Sequence, residues 1–141
     1  MTKVCQNFLY LMAKGEIDFD TDSFIVILMG SGFGYNRAAH HKYADVSADE
    51  LITGNGYTQK TKVLTGVSIA RDDALYKVVV KWNNPSWVAS GGPIGPVCGA
   101  FILDDTHVDD PLVQYIDFSG DGTEPDGGTF TITNPRLELT T

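Results

Sequence analysis

The chain reads as an all-β protein, an antiparallel β-sandwich or jelly roll, and three observations carry that reading. From residue 63 onward, apolar and polar residues alternate with period two in run after run. Glycine and proline are frequent, 15 and 6 of 141 residues, and together with Asn and Asp they punctuate those runs as turns. The regular strand–helix alternation that builds a parallel sheet is absent.

Taken in order, residues 3–14 read as a short N-terminal helix. Val4, Phe8, Leu11 and Met12 share one face, and Gly15 stands where a C-terminal cap is wanted. GEIDFDTDS (15–23) carries four acids and reads as a solvated turn. FIVILM (24–29), followed by GSGFG, suits a strand buried on both faces. Residues 30–62 are the least regular, with one strong local signal. Ser47 and Glu50 have capping-box spacing, Val46 and Leu51 are placed for a hydrophobic staple, and together they predict a short helix over 48–52. Thr53-Gly54 stops it, and GNGY (54–57) reads as a turn.

Beyond that point the strands follow one another. Val63, Thr65, Val67 and Ile69 form one face, and RDDA (71–74) is a hairpin turn. Tyr76, Val78, Val80 and Trp82 share the next face, with Lys77 and Lys81 opposite. VCGAFIL (97–103) has the character of a central strand. In 112–118, Leu112, Ile116 and Phe118 oppose Tyr115 and Asp117, and in 129–133 Phe130 and Ile132 alternate with threonines. Leu137 and Leu139 alternate with Arg136 and Glu138 in the last run. Seven or eight strands in one domain, 1–141, are expected, enough chain to bury a core without a disulfide or metal staple.

Composition narrows the partners. A formal charge of −8 repels phosphate backbones, and the 10 Lys and Arg are scattered, so no nucleic-acid partner is expected. The longest apolar run has six residues, FIVILM, far short of the ~18 of a membrane span. Met1–Lys14 lacks the continuous apolar segment of a signal peptide, which predicts synthesis in a cytoplasm. Cys5 and Cys98 form no CxxC pair and read as small buried hydrophobes.

No catalytic constellation emerges. GSGFG lacks the third glycine and the following helix of a dinucleotide-binding turn. There is no GxSxG elbow, and Cys98 sits inside an apolar strand. Consecutive His40 and His41 would point apart on an extended chain. DDTHVDD (104–110) sets four carboxylates around a single histidine and reads as a solvated loop. DFSGDGTEPDGG (117–128) matches the early positions of a calcium loop, but Gly128 stands where the bidentate Glu belongs. That leaves Asp121, Glu124 and Asp126 as weak calcium candidates; no other metal and no cofactor is expected. WNNPSWVASGGPIGPV (82–97) differs in kind, with two tryptophans among prolines and glycines and no charge. Rigid aromatics beside a stiff uncharged loop suit a protein interface, so Trp87, Pro93, Ile94 and the nearby Tyr57 are the interface candidates.

Several of these segments together resemble a family of small tailed-phage virion proteins. NFLYLMAKGEIDFDTDSFIVILM (7–29) is similar to that family's opening of short helix, Gly, acidic turn and apolar strand. HHKYADVSADELITGNGY (40–57) resembles its His, Asp-Val and Gly-x-Gly-Tyr stretch, carried here by His41, Asp45-Val46 and Gly54-Asn55-Gly56-Tyr57. FILDDTHVDDPLVQYIDF (101–118) and GGTFTIT (127–133) resemble two further family stretches. The resemblance implies a jelly-roll capsid cement, or decoration, protein without enzymatic activity. Its partner would be the major capsid protein on the outer surface of the shell, where it would sit as a homodimer or other homo-oligomer. Two alternatives belong beside it, another virion part such as a tail or fibre component, and a carbohydrate-binding β-sandwich. A third, a metal-dependent enzyme, would need its site at Asp104–Asp110 or Asp117–Asp126.

Overall fold

The computed structural model describes all residues 1–141 and shows an antiparallel all-β sandwich with two short helices. Its first helix, α1 (Gln6–Ala13), is shorter than the sequence predicts, because Thr2–Val4 form a strand, β1, instead of the helix's first turn. β1 pairs with residues 114–116, so the β-branched Thr2 and Val4 complete a sheet edge. Phe8 and Leu11 are the buried side of α1. The helix ends as Gly15 predicts. At φ 75° its N–H bonds the Met12 carbonyl (3.0 Å), while that of Glu16 bonds Leu11 (2.9 Å), the two bonds of a Schellman cap.

The larger sheet has five strands in the order β1–β8–β7–β2–β3. β2 (Phe24–Gly30), β7 (Ile94–Asp104) and β8 (Leu112–Glu124) form its centre, and β3 is the short pair Lys62–Val63. β2 is buried along six consecutive residues, as its uninterrupted apolar run requires. Register divides the sheet into two faces. Phe24, Val26 and Leu28 align with Asp104, Ile102 and Ala100, and through these with Gln114 and Ile116. Ile25 and Ile27 align with Leu103 and Phe101, and Phe101 with Tyr115, on the opposite face.

A three-stranded sheet, ordered β10–β5–β4, covers the first of these faces. Its members are β4 (Ser68–Asp72), β5 (Lys77–Lys81) and β10 (Arg136–Thr140). The β4–β5 hairpin turns two residues later than RDDA (71–74) predicts: Arg71 and Asp72 still pair with Val78 and Lys77, and residues 73–76 make the turn. Trp82 meets Phe24 at 5.8 Å between ring centroids, and Gln114 Nε2 donates to the Arg136 carbonyl (3.0 Å). Phe33 and Tyr35, from the glycine-rich loop after β2, cover the second face by packing on Phe101 and Tyr115. A two-stranded ribbon, β6 (Ser86–Val88) with β9 (Thr129–Thr131), brings Trp87 opposite Phe130. One continuous cluster of apolar side chains joins all three sheets and α1.

Two further expectations are corrected. The residue buried near the start of the 63–69 run is Leu64, while Val63, Val67 and Ile69 stay 52%, 39% and 45% exposed. The chain leaves one sheet and enters the other here, which breaks the alternation. The helix expected at 48–52 lies earlier, as α2 (Tyr43–Val46) followed by a 3-10 turn over Ser47–Asp49. Asp45 Oδ2, not Glu50, reaches back to the free N–H groups, those of His41 (2.9 Å) and Lys42 (3.1 Å). Glu50 is extended instead and bridges to Met29 of β2.

Candidate functional site

The four interface candidates meet different fates. Trp87, Tyr57 and Ile94 are only 4%, 1% and 1% exposed, and Pro93 alone lies on the surface. Trp87 packs between Tyr57 (5.9 Å) and Phe130 (6.0 Å), with Lys62 Nζ 5.3 Å from its ring centre. As an interface assignment these three residues are corrected: strand pairing of β6 with β9 turns the Trp87 indole inward, where a partner cannot reach it.

Asp121, Glu124 and Asp126 do not form a calcium site either. Asp121 Oδ2 accepts from Ser31 Oγ (2.5 Å), and Asp126 Oδ1 from the Gly91 N–H (3.1 Å). Glu124 folds over Gly128, the position whose lack of a carboxylate already weakened the pattern. Nowhere do three or more His, Cys, Asp or Glu side chains converge in a group able to hold an ion. The DDTHVDD loop likewise gathers no ion site. Asp110 and the exposed Asp105 both approach Lys60, at 2.7 and 4.0 Å, and His107 Nε2 lies 3.0 Å from Glu16. His40 Nδ1 accepts the Asn36 N–H (3.1 Å), and its ring stacks on Phe33 (5.3 Å).

Two buried carboxyl groups organise the polar interior, Glu50, which the sequence assigns to a helix cap, and Asp104, which it assigns to a solvated loop. Glu50 is 5% exposed. Its Oε1 accepts from the Tyr57 hydroxyl (2.7 Å) and the Lys60 N–H (2.8 Å), and its Oε2 from the Tyr43 hydroxyl (2.5 Å). Burial raises both tyrosine hydroxyls well above their ordinary values, so they stay protonated and donate. Only the folded chain brings these donors together, and a capping-box pattern in the sequence pointed Glu50 elsewhere.

Asp104, at the end of β7, has no exposed surface. Its Oδ1 accepts from the N–H groups of Thr106 (2.9 Å) and His107 (3.3 Å), but Oδ2 has no donor. The carboxyl lies against that of Asp22. Burial, then contact with Asp22, pushes the Asp104 carboxyl up to about 7. Around the pair, Ser23 N–H donates to Thr106 Oγ1 (2.7 Å) and Asp105 N–H to the Ser23 carbonyl (2.8 Å), stitching the acidic turn to the 104–110 loop. The available signal was positional. Asp104 ends a buried strand on the same face as Ile102, so a period-two reading continued by one residue places it inside.

The outer surface offers depressions rather than a cleft, one of about 380 Å³ lying between Phe118–Gly122 and Phe130–Thr131. β4, at the edge of its sheet, is unpaired on its outer side, beside the exposed Val67 and Ile69. The fold thus defines a β-sandwich with three buried polar side chains, Glu50, Asp104 and Gln114, and a free apolar-fringed edge. Comparison with protein-family models, curated proteins and solved structures returns no match to this chain.

Proposed function

We propose that the chain is a capsid cement subunit of a tailed bacteriophage, binding the outer surface of the major capsid protein shell and stabilising it without catalysis. The sequence resemblance over residues 7–29, 40–57, 101–118 and 127–133 supplies the role. The structural observation that carries it furthest is the β4 edge. Ser68–Asp72 present unpaired N–H and C=O groups on their outer side, with Ile69 exposed within the strand and Val67 exposed just before it. Such an edge accepts a strand from a neighbouring protein, with main-chain bonds giving affinity and the apolar fringe giving fit. A charge of −8 suits the outside of a particle packed with DNA. Many copies on one shell reinforce each other through avidity, opposing expansion by the genome. The subunit acts as a homodimer or other homo-oligomer in this reading.

A carbohydrate-binding sandwich would use Trp87 and Tyr57 as its platform, and both are buried. Quantitative mass spectrometry of purified virions tests the cement reading. Copy numbers comparable with the major capsid protein are expected. A handful of copies per particle would point to a tail or connector part, and absence from virions would overturn the virion role. Ile69→Lys, at an exposed edge position, is expected to fold normally and to occupy shells less; unchanged occupancy removes β4 from the contact.

A further inference from the structure

The sandwich buries one acidic oxygen with nothing to answer it. Asp104 Oδ2 is sealed from solvent, has no hydrogen-bond donor and faces the Asp22 carboxyl. Two carboxylates in contact, one of them buried, need a positive charge or a proton between them. The nearby cations are already engaged. Lys60 pairs with Asp110, and Lys14 with Glu16 at 2.6 Å. His107, whose N–H supports Asp104 Oδ1, turns its ring to Glu16.

The turn that carries Asp22 has a second property. Asp18, Asp20 and Asp22 alternate along it, the spacing at which the first, third and fifth positions of a calcium loop present oxygen ligands. It is already curled, with Asp22 Oδ2 accepting the Asp18 N–H (3.0 Å) and Asp18 Oδ1 that of Asp20 (2.9 Å).

We propose that Asp22 and Asp104 together bind one Ca²⁺ ion, with the Asp18–Asp22 turn folded around it. The two carboxylates that converge supply the charged ligands, and main-chain carbonyls of the turn and water complete an all-oxygen shell. Ca²⁺ fits better than Mg²⁺, which holds its own waters and demands strict octahedral geometry that a sealed carboxylate cannot serve. With so few acidic ligands, the affinity belongs in the weak range, ~10⁻⁴–10⁻³ M. The ion would pin the acidic turn to the 104–110 loop, at the end of the sheet where β2 and β7 meet. The site is independent of the cement role.

Calcium titration of the EDTA-stripped protein, by calorimetry and by thermal unfolding, tests the proposal. One ion per chain is expected, with a rise in Tm that equal MgCl₂ does not match. Tb³⁺ in place of Ca²⁺ is expected to luminesce on excitation of Trp82, whose ring packs on Phe24, the partner of Asp104 across the sheet. Asp104→Asn and Asp22→Asn, both near-isosteric, are expected to lower the affinity by roughly tenfold or more while far-ultraviolet circular dichroism stays unchanged. Asp121→Asn, in the other acidic loop, is expected to bind as the parent does. Calcium binding that survives both substitutions at the pair would overturn the assignment. A Tm indifferent to calcium would overturn it as well, leaving the pair held by a shared proton.

Discussion

Tyr57 donates its hydroxyl hydrogen to Glu50 (2.7 Å) while accepting the N–H of Leu28 (2.9 Å). Leu28 lies in β2 beyond the short partner strand β3, which reaches only Ile25 and Val26. Tyr57 therefore satisfies a strand N–H that has no strand opposite it, and Glu50 fixes the hydroxyl that does so. Tyr57→Phe leaves both Leu28 N–H and a Glu50 oxygen short of a partner. A loss of about 1–3 kcal/mol in urea unfolding is expected. Glu50→Ala, which strands two tyrosine hydroxyls and the Lys60 N–H, is expected to lose more than Tyr57→Phe does.

Trp87 is a core residue, and its truncation tests that placement. Trp87→Ala is expected to cost about 3–5 kcal/mol, read as a lower denaturation midpoint. A variant as stable as the parent would mean that the indole is not packed against Tyr57 and Phe130.

Gly99 sits in β7 beneath the Tyr115 hydroxyl. A Cβ there would meet that hydroxyl and come within 2.6 Å of the Ile116 carbonyl oxygen, which cannot yield without breaking the β7–β8 pairing. Gly99→Ala is therefore expected to destabilise by about 1–3 kcal/mol, the usual range for overpacking a core. Thermal unfolding of the purified variant checks this.

Asp104 predicts a pH dependence in EDTA. Its carboxyl rises from 3.8 to about 7 on folding, so between those values the folded chain holds a proton that the unfolded chain has released. The Asp104 contribution to stability is thus fully present below 3.8 and is lost as pH climbs to about 7. Asp104→Asn lacks this dependence. The stability of the parent relative to the variant is expected to decline from pH 4 to pH 7 and then level off, a comparison that thermal unfolding in parallel buffers provides.

Burial raises the Cys5 thiol to about 11, with a contact to Tyr35 acting weakly the other way. Native protein at pH 8 is expected to leave Cys5 unmodified by a thiol reagent over the time in which denaturant exposes it. Peptide mapping of the labelled chain distinguishes Cys5 from Cys98, whose thiol is partly exposed and donates to the Gly30 carbonyl (3.0 Å).

Local pattern was a good guide wherever one segment's burial was uniform. FIVILM and VCGAFIL announce strands covered on both faces, and they form the neighbouring strands β2 and β7. Gly15 announces its cap because only a residue at ease with positive φ continues the chain there. Pattern misled where two local solutions competed. Ser47 and Glu50 satisfy a capping box on paper, yet the hydroxyls of Tyr43 and Tyr57 offer Glu50 better-protected bonds. Thr2–Val4 could extend a helix, yet the open edge of β8 takes them as a strand. The candidate sites fared worse than the fold. Trp87 and Tyr57 look like interface anchors by residue type, but type says nothing of which side of a ribbon faces the core.

By itself the amino-acid order determined that this chain makes an antiparallel sandwich, where its central strands lie, and that its surface is acidic. Those properties come from side-chain periodicity and charge, which are local or additive. The three-dimensional packing alone decided that Trp87 points inward, that β4 is left with a free edge, and that Asp22 meets Asp104. Each of these depends on which distant segments become neighbours, and that is settled by burying the whole core at once.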